Sequence, residues 1–172
     1  MPESDISVLI KAARAAGEVA SQFDGPSTKL WHKPDEAGPV TEADLAVNDL
    51  LHYQLMQARP HYGWLSEETE DNSARQQVSN VFIIDPIDGT RSFINGDQTW
   101  AHALAIAKNG QITAAVVYLP MLNKLYTAVR GQGASLNDIP LSASDCEDIC
   151  DAKVLTTRAN MDPKHWNGSV PD

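Results

Sequence analysis

The amino-acid sequence predicts an α+β fold, two helices packed on a mainly antiparallel sheet, and three observations carry that prediction. Apolar residues recur at helical spacing in two long stretches near the start. From residue 81 onward, short apolar runs are separated by Gly and Asn turn residues. Helices first and strands afterwards, rather than in alternation, is the order of an α+β layer arrangement.

The first helix is expected over residues 3–23. Ser4 stands where a cap belongs, and Ile6, Leu9, Ile10, Ala13, Ala16, Gly17 and Ala20 form one apolar stripe. Residues 24–40 are rich in Pro, Gly, Asp and Lys and read as loop, with a short strand over 29–33. Lys33, before Pro34, reads as solvated. At Thr41 begins TEADLAVNDLLHYQLMQA. Thr41 with Asp44 three residues on resembles a capping box, with Asp in place of the usual Glu or Gln. Leu45, Asn48, Leu51, Leu55 and Met56 share a face of this second helix, which Pro60 stops. YGWLS at 62–66 reads as a short strand ending in Glu67 and Glu68, and residues 69–80 are polar surface.

Strands then gather at 81–84, 99–108, 112–119, 124–129 and 134–136. Asn109-Gly110 is a strong hairpin signal between two apolar runs. Gly131, Gly133 and Asn137-Asp138 mark later turns, so GQG at 131–133 is a hairpin turn and not a nucleotide loop. A further strand is expected over 154–156.

The chain has 172 residues, enough for one domain with a core. Its 42% hydrophobic and 21% charged residues describe a globular chain rather than a disordered one. A net charge of −10 leaves no basic surplus to displace counterions, so nucleic acid is excluded as the main partner. A small phosphorylated molecule stays admissible if cations screen the site. No apolar run approaches the ~18 residues of a membrane span, and the N-terminus lacks the pattern of a secretion signal. Cys146 and Cys150 are too few for a disulfide framework, which points to a cytoplasmic setting. Their spacing of four suits one helix face, but no histidine lies near to complete a metal pair. The five histidines are scattered without ligand spacing, and His102 reads as a packed or surface strand residue. Met56 and Trp100 read as core or layer-packing residues.

The stretch VFIIDPIDGTRSFING carries the chemistry. Asp85 sits where an apolar strand leaves the sheet, and Pro86 removes a backbone donor and breaks the ladder. The turn brings Asp88 back toward Asp85, with the carbonyl of Ile87 facing the same point. Glu67 and Glu68, at the end of a neighbouring strand, add further oxygens. Such a set suits Mg²⁺, with Mn²⁺ or Ca²⁺ behind it. Gly89-Thr90 opens a short helix through Phe93, whose free amides make a phosphate seat, and the Thr90 hydroxyl can orient a water. Acidic ligands beside an anion-binding turn describe metal-assisted phosphoryl transfer. Asp-Pro followed by Asp-Gly is also ordinary turn chemistry, and the acidic strand end at Glu67-Glu68 is what tips the reading. Arg91 meets either a substrate anion or solvent.

DPIDGT, with Phe93 and Gly96 following, resembles the signature of the inositol monophosphatase superfamily of Mg²⁺-dependent, often lithium-sensitive phosphatases. The likeness extends over nearly the whole chain, through VTEAD, WLSEE and RGQGASLNDIPL. It implies the N-terminal layer of the sugar-phosphatase (αβαβα) fold, with residues 1–172 as an N-terminal α+β domain and the C-terminal α/β domain absent from this chain. It implies that Glu67 and Asp85 bind a first metal with the Ile87 carbonyl, and that Asp85 and Asp88 bind a second. Glu67 reaches a third through water, so that two or three Mg²⁺ ions are expected, with Mn²⁺ possible in their place. By the same resemblance Thr90, held by Asp44, positions the attacking water. Asp88, Gly89 and Thr90 meet the substrate phosphate, cradled by the Gly89 and Thr90 amides, and Glu68 supports the site. A homodimer is expected, and the substrate is a small phosphorylated metabolite. Inositol monophosphate leads, with 3′-phosphoadenosine 5′-phosphate, histidinol phosphate and fructose 1,6-bisphosphate behind it. One departure stands out. The later Trp-Asp motif of the superfamily, whose Asp completes the second metal site, has no counterpart here, since Trp166 is followed by Asn167. The alternative is therefore a non-catalytic domain that holds a cation and an anion without turning them over.

Overall fold

Helix α1 covers Asp5–Ala20, and Ser4 caps it as expected, its hydroxyl accepting from the Ser7 amide at 3.3 Å. The computed structural model describes residues 3–32, 38–148, 151–153, 156 and 158–166. The chain divides into two units, Met1–Leu141 and Ser142–Asp172. In the first, α1 is followed by a small antiparallel pair, β1 (Leu30–His32) and β2 (Pro39–Thr41), and then by α2 (Glu42–Ala58). The capping box at Thr41 is complete. The Thr41 hydroxyl accepts from the Asp44 amide, and the Asp44 carboxylate accepts from the Thr41 amide at 2.8 Å.

A seven-stranded sheet takes the rest of this unit in sequential order. Its strands are β3 (Gly63–Ser66), β4 (Asn80–Asp88), β5 (Ala101–Lys108), β6 (Gln111–Leu119), β7 (Lys124–Val129), β8 (Gly133–Leu136) and β9 (Ile139–Leu141). Only β3 and β4 pair in parallel; every later neighbour is antiparallel. Asn109-Gly110 and Asn137-Asp138 take positive φ at both turn residues, the backbone that matches the twist of a two-residue hairpin. A short helix, α3 (Thr90–Ile94), links β4 to β5. The α+β architecture of two long helices on a mainly antiparallel sheet is therefore the one the sequence predicts.

Both long helices lie on one face of the sheet. The contact stripe of α1 is made of small residues, Ala12, Ala13, Ala16, Gly17 and Ala20. Small side chains let the helix axis approach closely, and a Cβ on Gly17 would stand 2.8 Å from the Tyr118 ring. Leu9, Val47, Leu51, Leu55, Phe82, Leu104, Ile106 and Val116 close the core. Asp5 joins the start of α1 to the end of α2, accepting from Arg59 Nε at 2.9 Å and from the Tyr62 hydroxyl at 3.1 Å.

Three expectations need correction. Leu45 is 40% exposed, and the buried face of α2 runs instead through Ala43, Val47, Asn48, Leu51 and Leu55. The strand expected to end at residue 84 continues through the Asp-Pro motif to Asp88, with a register shift between Asp85 and Asp88. Two short strands went unread, β2 and β9, each with a proline on a short edge pairing. The strand expected over 154–156 falls largely outside the described residues, as Val154 and Leu155 do, and so do Lys33 and Cys150. Cys146 is exposed with a free thiol. In the second unit, short 3₁₀ turns cover Arg158–Met161 and Pro163–His165, and Trp166 Nε1 donates to the Asn160 carbonyl at 2.9 Å. Among the described residues no helix is long and apolar enough to cross a membrane.

Candidate active site

Parallel pairing is what assembles the acidic cluster. Ser66 of β3 lies beside Ile84 of β4, so Glu67 and Asp85 come next on neighbouring strands that point the same way. The Glu67 amide donates to the Ile84 carbonyl at 3.1 Å and ties the two strand ends together. The turn beyond is anchored from α2. Buried Asn48 accepts from the Ser66 hydroxyl at 2.6 Å and donates to Thr69 Oγ1 at 3.1 Å, while the Ser66 hydroxyl accepts from the Glu68 amide at 3.3 Å. In the turn after β3, Glu67 is exposed and Glu68 half-buried. The sequence places Asn48 on one face of α2 with Leu51 and Leu55 and gives it no role of its own. The signal was there, a polar side chain on an otherwise apolar helix face.

Asp85 is half-buried at the start of the register shift. Burial pushes its carboxyl up to about 7, helped by the charges of Glu67 and Asp88, a hydrogen bond with Glu67, and the charge of Asp44. Burial disfavours the charged carboxylate, and the neighbouring carboxylates add their repulsion, so the proton is harder to remove from Asp85. Asp88 is exposed at the end of β4, its backbone opposite Ala101.

Gly89 follows with φ 90° and ψ 39°, the left-handed conformation that glycine adopts without strain. A Cβ there would also stand 3.3 Å from the Thr99 carbonyl. This turn sends Thr90 back over the bulge. Its hydroxyl lies 3.2 Å from Asp44 Oδ1 and 3.1 Å from the Ile87 carbonyl, one proton shared between two acceptors. Asp44 is fully buried, and burial raises its carboxyl, while hydrogen bonds from Thr41 and Thr90 pull the other way. The capping box of α2 therefore fixes the acceptor that orients Thr90. Arg91 lies exposed on α3.

His102, expected as a packed or surface strand residue, is fully buried. Its Nδ1 lies 2.5 Å from the Pro86 carbonyl, and burial lowers the imidazole to about 4, so it is neutral. No local sequence pattern announces this contact, because the partner sits on the neighbouring strand.

The structure thus brings Glu67, Asp88 and Asp44 within electrostatic reach of Asp85, and Thr90 within hydrogen-bond reach of Asp44 and Ile87. As placed, no group of three or more His, Cys, Asp or Glu among the described residues closes to the spacing that holds a metal ion. The donor chemistry still fits a hard divalent cation, because the set is all oxygen and its charges add to burial in raising the Asp85 carboxyl.

The family description "Inositol monophosphatase family" matches residues 1–169. An inositol-1-monophosphatase of Mesorhizobium japonicum is 37% identical over 139 residues, covering 77% of this chain and 50% of that protein. The Nus factor SuhB of Salmonella typhimurium is 33% identical over 153 residues, covering 88% of this chain and 57% of its own. Among solved structures, the extragenic suppressor protein suhB of Bartonella henselae superimposes with a TM-score of 0.74 at 32% identity, over 81% of this chain and 54% of that one. The chain spans about half the length of the curated relatives it matches.

Proposed function

The chain belongs to the inositol monophosphatase family, and from that premise we propose that it forms the N-terminal part of a Mg²⁺-dependent phosphomonoesterase acting on a small soluble phosphate ester. Inositol monophosphate is the leading substrate, ahead of 3′-phosphoadenosine 5′-phosphate, histidinol phosphate and fructose 1,6-bisphosphate. The observation that carries the reading is Asp85, a half-buried carboxyl held up to about 7 by burial and by Glu67 and Asp88 around it. A fold keeps such a costly arrangement where a cation offsets it.

Glu67, Asp85, the Ile87 carbonyl and Asp88 would hold two or three divalent ions, Mg²⁺ first and Mn²⁺ as substitute. Bound there, such ions polarise a phosphate and make water a better nucleophile. This chain's own residues do the rest. The Thr90 hydroxyl, oriented by Asp44, sets the direction of the attacking water, and Glu67 stands across the parallel strand pair to share in that task. The amides of Gly89 and Thr90, beside Asp88, receive the phosphate oxygens. Glu68 steadies the turn that carries Glu67. We place the protein in the cytoplasm as a homodimer, as its cysteine content and family resemblance imply.

The second reading is a domain that binds a cation and an anion without turnover, and the observation on its side is that no group of three or more His, Cys, Asp or Glu among the described residues closes to metal-holding spacing. A phosphate-release assay over a substrate panel separates the two, run on this chain and on a version extended to the relatives' length. Mg²⁺-dependent release by the extended chain, abolished by Asp88→Asn, supports the enzyme. Release that ignores Mg²⁺ overturns it.

A further inference from the structure

The register of β4 against β5 isolates one residue. Asp85 pairs with Ala103 and Asp88 with Ala101, so Pro86 and Ile87 together oppose His102 alone. Two residues facing one is a β-bulge, a device that re-aims a strand and lifts backbone groups off the ladder. Pro86 has no N–H to donate, and its carbonyl, displaced from the ladder and buried, still needs a partner. The side chain opposite supplies it. His102 Nδ1 sits 2.5 Å from that oxygen. A carbonyl only accepts, so Nδ1 carries the proton and Nε2 is left as a bare acceptor.

Packing alone does not account for an imidazole here. The ring is fully buried between Trp100, edge-on at 5.5 Å, and Tyr118, tilted at 6.4 Å. Its Nε2 has no hydrogen-bond partner among the described residues. An orphaned buried acceptor costs stability that leucine or phenylalanine would not. The one thing the imidazole supplies, and those side chains do not, is the Nδ1–H.

We propose that His102 is a positioning residue for the candidate active site. Its Nδ1–H clamps the Pro86 carbonyl, and the clamp sets the bulge that keeps the Ile87 carbonyl against Thr90 and aims Asp88. This rests on the cation- and phosphate-binding reading of the bulge, and it adds the group behind the bulge that holds it in place.

The test uses the full 172-residue chain with two substitutions. His102→Leu removes the donor. His102→Asn keeps an amide N–H near the Nδ1 position. Hydrogen exchange is followed without metal at the amides of Asp88, Gly89 and Thr90, and at Ala114 and Val116 in the sheet as controls. Exchange in the turn is expected to rise about tenfold or more in His102→Leu and to stay near wild type in His102→Asn, with the controls unmoved. Calorimetric Mg²⁺ affinity is expected to fall about tenfold in His102→Leu alone, as when a group that orients a ligand is lost. Unchanged exchange in the turn, or an equal rise in the controls, overturns the proposal. If the wild-type chain takes up no Mg²⁺ while the turn responds as expected, the clamp stands and the metal reading falls. Should His102→Leu not fold, nitrogen NMR of wild-type His102 decides: the Nδ1–H tautomer supports the clamp and the Nε2–H tautomer refutes it.

Discussion

Asp85→Asn removes one negative charge from a half-buried position already crowded by Glu67 and Asp88. In the folded chain the Asp85 carboxyl titrates at about 7, against an ordinary 3.8. Below pH 3.8 both folded and unfolded chains hold the proton, and Asp85 costs nothing. As pH rises toward 7 the unfolded chain releases it first, so stability falls, and above 7 the loss is complete. The displacement corresponds to at most about 4 kcal/mol at about 1.4 kcal/mol per pKa unit. Asp85 keeps part of its surface in water, and screening reduces this to about 2 kcal/mol. Asn carries no charge, and its amide can still donate toward Glu67. With chelator present, urea unfolding should show Asp85→Asn about 2 kcal/mol more stable than wild type at pH 8, with the gap closing by pH 4. Mg²⁺ should then stabilise wild type more than the variant, because only the ion-binding carboxylate gains by mass action. A variant less stable than wild type at pH 8, or a gap that persists at pH 4, refutes the electrostatic account of this site.

Glu67→Gln and Asp88→Asn should each weaken Mg²⁺ binding about tenfold or more, since a carboxylate ligand loses its charge; unchanged calorimetric affinity in both means the site lies elsewhere. Thr90→Ala, made in the extended enzyme, should lower kcat more than it raises KM, while Thr90→Ser keeps the hydroxyl and most of the rate. An equal effect on both constants reassigns Thr90 to binding. Gly25→Ala would place a Cβ 1.8 Å from the Phe93 carbonyl oxygen, a backbone clash that no side chain can relieve. We expect a loss on the order of 3 kcal/mol in urea unfolding, and a variant of wild-type stability contradicts that packing. The sheet face away from the helices exposes Ile83, Ile112 and Val117, so the chain should self-associate with rising concentration; light scattering that shows one monomeric species at all concentrations counts against it.

What the sequence disclosed, it disclosed through local rules. The Ser4 cap, the Thr41–Asp44 box and the Asn109-Gly110 turn are each settled by residues within four positions of one another, where side-chain hydrogen bonds and φ preference decide. The face of α2 was misjudged at Leu45 because hydropathy alone does not fix where a helix stripe is centred; that depends on what packs against Val47 and Leu51. The end of β4 was misjudged for a sharper reason. Proline does break a ladder, but His102, the second residue of the next strand, donates to the Pro86 carbonyl, and nothing local to the Asp-Pro motif encodes its arrival. The candidate site was legible as residue types, Glu67, Asp85, Asp88 and Thr90 around a Gly turn. Its electrostatic severity was not, since that follows from the parallel β3–β4 pairing and from how deeply the bulge sits.

The bulge carries a cost that its surroundings are built to contain. Left to itself, a chain with a half-buried carboxyl against two other acids would relax by swinging the turn into water. Three contacts oppose that escape, and each comes from a different element. The start of α2 holds Asp44, which receives the Thr90 hydroxyl. That hydroxyl also meets the Ile87 carbonyl, and from β5 His102 holds the Pro86 carbonyl one residue earlier. Consecutive carbonyls of one bulge are thus each held by a side chain from another element, leaving Asp85 and Asp88 little freedom to separate. Holding like charges together against their repulsion is a cost that folding alone gives no reason to bear. The cation and phosphate binding proposed above would supply that reason, because ligands held in place beforehand lose less entropy when the ions arrive.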